Sequence, residues 1–166
     1  MTETTDSMNT AHLLIGGNEG NRKHQLRQAL ANIEKSCGRI FRQSSIYETA
    51  PWGNSFQPNF LNQAISLETS LPVHELMREI LLIEEGMGRK RLEKYGPRTI
   101  DIDILFFNEE IIAEPGLRIP HPEIQNRRFA LVPMNEIAPG LIHPGLQKSI
   151  HQLLLECSDH LDVKKI

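Results

Sequence analysis

Cysteine is nearly absent. Two residues, Cys37 and Cys157, occur in a chain of 166, far apart and in no CxxC pattern. That argues against a disulfide framework and a cysteine-based zinc site, and it fits a reducing compartment. No run of about 18 apolar residues exists, and the opening MTETTDSMNT has neither the basic start nor the apolar stretch of a signal peptide. No membrane association is therefore expected, and the expected location is the cytoplasm. An excess of one charge is also lacking: 18 Lys and Arg stand against 21 Asp and Glu. No global basic field draws such a chain to nucleic acid or an anionic membrane, so neither is an expected partner. His12, His24, His74, His143, His151 and His160 form no HExxH or similar spacing, and repeats and low-complexity linkers are absent.

What is present is enough for one soluble domain, with 39% hydrophobic and 23% charged residues. Residues 1–10 read as a flexible tail and 11–166 as a single domain. Ala11 to Ile15 reads as a strand running into a glycine turn, GGNEGN, with Asn21 as N-cap of a helix carrying Leu26, Ala29, Leu30 and Ile33. That turn matches neither GxxxxGK[ST] nor GxGxxG. Two strands are expected over Ile40–Glu48 and Leu61–Thr69. Between them lies a proline- and aromatic-containing loop, Thr49–Phe60, long enough to be functional. A second helix opens after Ser70 and Pro72 and stops at Gly86 and Gly88. A strand follows, then a hairpin around Ile111–Ile119 and helices near Phe129–Ile137 and Leu146–Leu155. The order βαββαβ predicts an α+β, ferredoxin-like sandwich: an antiparallel sheet with two helices on one face, plus the C-terminal hairpin and helices.

One stretch carries a chemical demand. In KYGPRTIDIDILFF, strand alternation turns Ile100, Ile102, Ile104 and Phe106 to one face and Asp101 and Asp103 together to the other. Carboxylates roughly 7 Å apart repel by about 2.4 kcal/mol at an effective dielectric near 20. A positive partner is required. Leu105 and Phe106 stand where an EF-hand needs an oxygen ligand and glycine, so a calcium loop does not fit. Salt bridges to Arg98 or Arg91 are one answer. Arg89, Lys90, Arg91, Lys94 and Arg98 nevertheless supply five cations for two acids. The surplus wants an anion, and Mg²⁺ held by acids beside phosphate-gripping arginines describes a nucleoside triphosphate site. The glycine- and lysine-containing segment 86–98 then reads as a lid that closes on ATP.

His121, between two prolines and followed by Arg127, is either a surface turn or a donor to phosphate oxygens. Trp52, with Phe56 and Phe60, forms either a hydrophobic lid or a stacking surface for a flat ring whose edge Asn62 can read. A nucleotidyltransferase is a rival enzyme, but it wants a Gly-Gly turn shortly upstream of its acid strand, and Gly16-Gly17 lies far away in sequence. An RNA-binding module on the same sheet is a rival outside enzymology. It needs aromatics on central strands, where this chain offers acids.

From about Leu13 to about Leu155 the chain resembles the 6-hydroxymethyl-7,8-dihydropterin pyrophosphokinases of folate biosynthesis. The resemblance is carried by Lys94-Tyr95-Gly96-Pro97-Arg98-Thr99-Ile100-Asp101-Ile102-Asp103-Ile104-Leu105. Three other blocks agree: Tyr47 to Gly53 with Gln57 to Asn62; Glu84 with Gly88-Arg89-Lys90-Arg91; and Pro120-His121-Pro122 through Arg127, Phe129 and Glu136 to Pro139. The resemblance implies transfer of pyrophosphate from ATP to a pterin alcohol, with release of AMP. It implies a catalytic set of Arg89, Arg98, Asp101 and Asp103, with the two aspartates binding two Mg²⁺ ions. Arg89, Arg91, Arg98, His121 and Arg127 would hold ATP. Thr49, Trp52, Phe60, Asn62 and Phe129 would hold the pterin, its ring stacked between Phe60 and Phe129. A monomer is the expected state. Two positions depart from the family pattern: Gly17 stands where serine is usual, and Tyr95 where some members carry tryptophan.

Overall fold

A computed structural model describes residues 8–51, 56–88 and 99–166. Strand β1 (Asn9–Gly17) is central, flanked by antiparallel β4 (Phe60–Thr69) and β5 (Asp101–Phe107). It starts inside the stretch read as a tail. Its odd residues Ala11, Leu13 and Ile15 are fully buried against one helix layer. That layer is α1 (Arg22–Ser36) and α2 (Val73–Gly86), which contribute Leu26, Ala29, Ile33, Leu76 and Ile80 at three- and four-residue spacing. Each such side chain contributes roughly 1.5–3 kcal/mol by leaving water. Asn21 caps α1 as expected, its Oδ1 accepting from the His24 amide at 3.1 Å.

The opposite face of the sheet is covered by α3 (Arg128–Ile137) and α4 (Ile150–Glu156). There Leu14, Ala64, Leu105 and Phe106 meet Ala130, Leu131, Met134 and Leu153 in a second core. The fold is the expected ferredoxin-like α+β sandwich, with this extra layer supplied by the C-terminal third.

Three local expectations are corrected, and two strand pairings are added to them. The single strand expected over 40–48 is two, β2 (Arg39–Gln43) and β3 (Tyr47–Thr49), both paired with β4. Ser44 and Ser45 interrupt it. The Ser44 amide still donates to the Ala64 carbonyl at 2.9 Å, but the Ser44 hydroxyl accepts from the Ala64 amide at 2.9 Å and the Ser45 amide donates to Glu136 of α3 at 2.9 Å, so side-chain bonds take over part of the ladder there. Gly16 and Gly17 belong to β1, and the turn begins only at Asn18. The last helix starts at Ile150, not near 146, because Ser149 is its N-cap, accepting from the Gln152 amide at 3.1 Å. Before it, β8 (Ile142–His143) and β9 (Lys148–Ser149) pair as a small hairpin, like β6 (Ile112–Glu114) with β7 (Leu117–Ile119). Finally, β10 (Val163–Lys165) pairs with β3 at the sheet edge, giving the order β10-β3-β4-β1-β5. Three residues reading VKK carry no periodic signal.

His12 on β1 is 7% exposed, its Nδ1 2.9 Å from the Ser66 hydroxyl and its ring edge-on to Phe106. Burial, assisted by the charge of Arg42, pushes it down to about 4 from 6.5. Below pH 6.5 the unfolded chain takes up a proton that the folded chain refuses until about pH 4. Stability therefore falls as pH drops through that window. In urea titrations the wild type should lose about 1.4 kcal/mol per pH unit more than His12→Gln between pH 6.5 and 4. Parallel slopes would show that His12 is not a source of acid sensitivity.

Candidate active site

The site is organised by a bulge. In the β1–β5 ladder Leu13 pairs with Ile104 and His12 with Phe106, so Leu105 is skipped; Phe106, expected on the isoleucine face, is turned by this bulge into the second core beside Leu105. Before the bulge, alternation is intact. Ile102 and Ile104 face α1 and α2, and Asp101 and Asp103 project half-buried from the other face, opposite Gly16 and Leu14. Glu84, near the end of α2 and 3% exposed, accepts the Ile102 amide at 2.8 Å. The helix thus grips the backbone between the two aspartates.

From Asp101 a row runs across the sheet through Gly16 to Asn62 and then Tyr47. Asn62 is 5% exposed and lies directly over Gly16: a Cβ at that position would fall 2.1 Å from Asn62 Oδ1. Gly16 is glycine because the amide occupies its side-chain space. Asn62 Nδ2 donates to Thr49 Oγ1 at 3.4 Å, leaving its second amide hydrogen and Oδ1 without a partner among the described residues. Thr49, buried, pairs with Phe60, which lies half-buried two residues before Asn62 and so on the same face. The loop before β4 is fastened to the turn after β1, since buried Asn18 donates to Gln57 Oε1 at 2.8 Å and to the Pro58 carbonyl at 2.9 Å. The Tyr47 hydroxyl donates to Glu136 of α3 at 2.5 Å; burial and then this bond push its pKa up to about 12.

The wall opposite is built by α3 and the loop before it. The His121 amide donates to the Leu105 carbonyl at 2.9 Å, which docks that loop on β5. His121 Nδ1 accepts from the Glu123 amide at 3.1 Å, so the neutral ring carries its proton on Nε2. Burial and then the Arg127 charge push His121 down to about 4, against the opposing pull of Asp101 and Glu123. His121 therefore senses the charges of both Arg127 and Asp101. Arg127 sits 5.8 Å from the centroid of the Phe129 ring, and Phe129 packs against the second core.

Asp101, Asp103, His121, Arg127, Phe129, Asn62, Thr49 and Phe60 are thus brought together at one end of the sheet's second face. Arg89, Arg91, Arg98 and Trp52 lie outside the described residues, as does the lid expected over 86–98 from residue 89 onward. Among the described residues no group of three or more His, Cys, Asp or Glu is arranged for a metal. A two-carboxylate donor set suits Mg²⁺, which keeps coordination positions for water and phosphate oxygens, better than a closed zinc or calcium cage. The supporting groups Gly16, Glu84 and the Tyr47–Glu136 pair were not assigned roles from sequence. Glu84 did leave a signal: it continues the Leu76, Ile80 stripe of α2, where four-residue spacing calls for an apolar side chain.

Residues 12–139 match the family model described as 7,8-dihydro-6-hydroxymethylpterin-pyrophosphokinase. The chain is similar to the 2-amino-4-hydroxy-6-hydroxymethyldihydropteridine pyrophosphokinase of Aquifex aeolicus, with 39% identity over 145 residues, covering 87% of this chain and 90% of the relative. For the enzyme of that name from Bacillus subtilis the identity is 43% over 130 residues, 78% of each chain. For that of Haemophilus influenzae it is 38% over 158 residues, 95% of this chain and 98% of the relative. In three dimensions the chain overlays a Plasmodium falciparum HPPK-DHPS crystal structure with a TM-score of 0.75 at 20% identity, covering 93% of this chain and 46% of that one. That likeness speaks for the fold, and the chain spans about half the length of that larger protein.

Proposed function

We propose, from the premise that the chain belongs to the 7,8-dihydro-6-hydroxymethylpterin-pyrophosphokinase family, that the pocket between β5, β4 and α3 moves pyrophosphate from ATP to the hydroxymethyl oxygen of 6-hydroxymethyl-7,8-dihydropterin. The product nucleotide is AMP, and the reaction belongs to folate biosynthesis. The observation that carries this reading is the row Asp101, Gly16, Asn62, which sets a carboxylate pair for charge chemistry beside a buried amide with open hydrogen-bonding positions.

In this reading Asp101 and Asp103 hold two Mg²⁺ ions. Bound there, magnesium neutralises charge on the attacking and leaving oxygens. His121, through Nε2–H, and Arg127 donate to phosphate oxygens, joined by Arg89, Arg91 and Arg98 from the basic segment. Phe60 and Phe129 stack the pterin, and Asn62 with the backbone at Thr49 and Trp52 reads its edge. The hydroxymethyl oxygen attacks the β-phosphorus and AMP departs. Alignment of the two substrates supplies on the order of 7–11 kcal/mol of the barrier, and no covalent enzyme intermediate is required. No side chain is assigned as general base. Glu84 holds the strand that presents the carboxylates, so their separation does not depend on loop order. The chain acts as a monomer in the cytoplasm; among its described residues no helix is long and apolar enough to cross a membrane.

Incubation with Mg-ATP and the pterin alcohol tests the reading by nucleotide chromatography. AMP should accumulate in step with pterin consumed and only when pterin is present. ADP as the product would indicate transfer of one phosphoryl group and overturn it.

A further inference from the structure

The segment after α4 lies beyond the residues that the family model matches, yet it touches both walls of the pocket. Helix α3 opens without a cap of its own: Arg127 at its N-cap position has extended backbone (φ −121°, ψ 101°) and makes no side-chain capping bond. The missing acceptor comes from 31 residues away, where Asp159 Oδ2 takes the Arg128 amide at 3.0 Å. The other oxygen, Oδ1, accepts from the Leu161 amide at 3.0 Å, so one carboxylate fastens both the helix and the segment that carries it. A carboxylate there also complements the positive end of the helix. The segment then crosses to the far wall. Val163 pairs with Thr49 and Lys165 with Tyr47, and the Ile166 amide donates to the Ile46 carbonyl at 3.0 Å.

We propose that residues 159–166 act as a strap that sets the gap between the Phe129 wall and the Thr49–Asn62 wall, with Asp159 as a positioning residue for the pterin. Helix α3 is moored at its other end by Glu136, which bonds Tyr47 and Ser45. Loss of Asp159 therefore leaves the helix in place and loosens its first turn, the one flanked by Arg127 and carrying Phe129. The inference rests on the assignment of Phe129 to the pterin wall, and its test keeps the two apart.

Asp159→Ala, Asp159→Asn and Phe129→Ala are compared by pterin Kd in the presence of a non-hydrolysable ATP analogue and by steady-state kinetics. Asp159→Ala should raise pterin Kd and KM about fivefold, the worth of one helix N-cap, with kcat within about twofold of wild type. Asp159→Asn, which keeps one acceptor oxygen and can serve the Arg128 amide or the Leu161 amide but not both, should bind pterin with an affinity between those of Asp159→Ala and the wild type. A lowered melting temperature with unchanged pterin KM in Asp159→Ala would mean the strap is structural only. If Phe129→Ala loses pterin binding and Asp159→Ala does not, the strap inference alone fails. If Phe129→Ala binds pterin normally, the pocket assignment fails and the strap with it.

Discussion

Asp101→Asn and Asp103→Asn should each lower kcat/KM by about 10³-fold or more while the chain stays folded. The magnitude follows from the role. In the proposed site two carboxylates on one strand face would gather positive charge where the phosphates react, and loss of about 4 kcal/mol of such stabilisation is a factor of about 10³ in rate. Asparagine keeps the size and hydrogen-bonding shape of the side chain, and both positions are only half-buried, so neither a cavity nor a buried orphan charge is created. The strand itself is held by the β1 ladder and by Glu84. Steady-state kinetics paired with far-ultraviolet circular dichroism separates lost chemistry from lost fold. Turnover within tenfold of wild type in either variant would remove that carboxylate from the reaction.

The second large effect is expected where nothing titrates. Gly16→Ala places a methyl group 2.1 Å from Asn62 Oδ1 and 3.0 Å from the Leu61 carbonyl. The amide must leave its seat over β1, and with it goes the bond to Thr49. A displacement of about 1 Å in a positioning group costs on the order of 10²-fold, so kcat/KM for the pterin should fall by about that factor. Stability should fall by roughly 1–3 kcal/mol from overpacking. Coupling identifies the route: if the methyl acts through Asn62, the pterin effect of Gly16→Ala shrinks in an Asn62→Ala background. A Gly16→Ala enzyme with wild-type pterin KM would contradict the contact that makes this residue glycine.

How much of this was legible depends on range. Elements with a long apolar period, α1, α2, β1 and β4, follow from spacing alone, because burial of one face dictates the period. The common face of Asp101 and Asp103 is likewise a consequence of strand geometry. What escaped was decided by partners distant in sequence. Ser44 and Ser45 break a strand because Glu136, 91 residues away, waits on α3. Gly16 looks like a turn glycine until Asn62 is placed above it, and β10 exists only because β3 offers an unpaired edge. Asp159 is an ordinary surface acid until α3 lacks a cap. Glu84 was the exception, an acid in an apolar stripe, and it lies against the functional strand.

The most direct test counts metal ions. Titration of Mn²⁺ into the protein with a non-hydrolysable ATP analogue and the pterin alcohol, followed by electron paramagnetic resonance, should show two bound ions per chain, and Asp101→Asn should lose at least one of them. The same two ions bound with unchanged affinity in Asp101→Asn and Asp103→Asn would contradict the account at its centre.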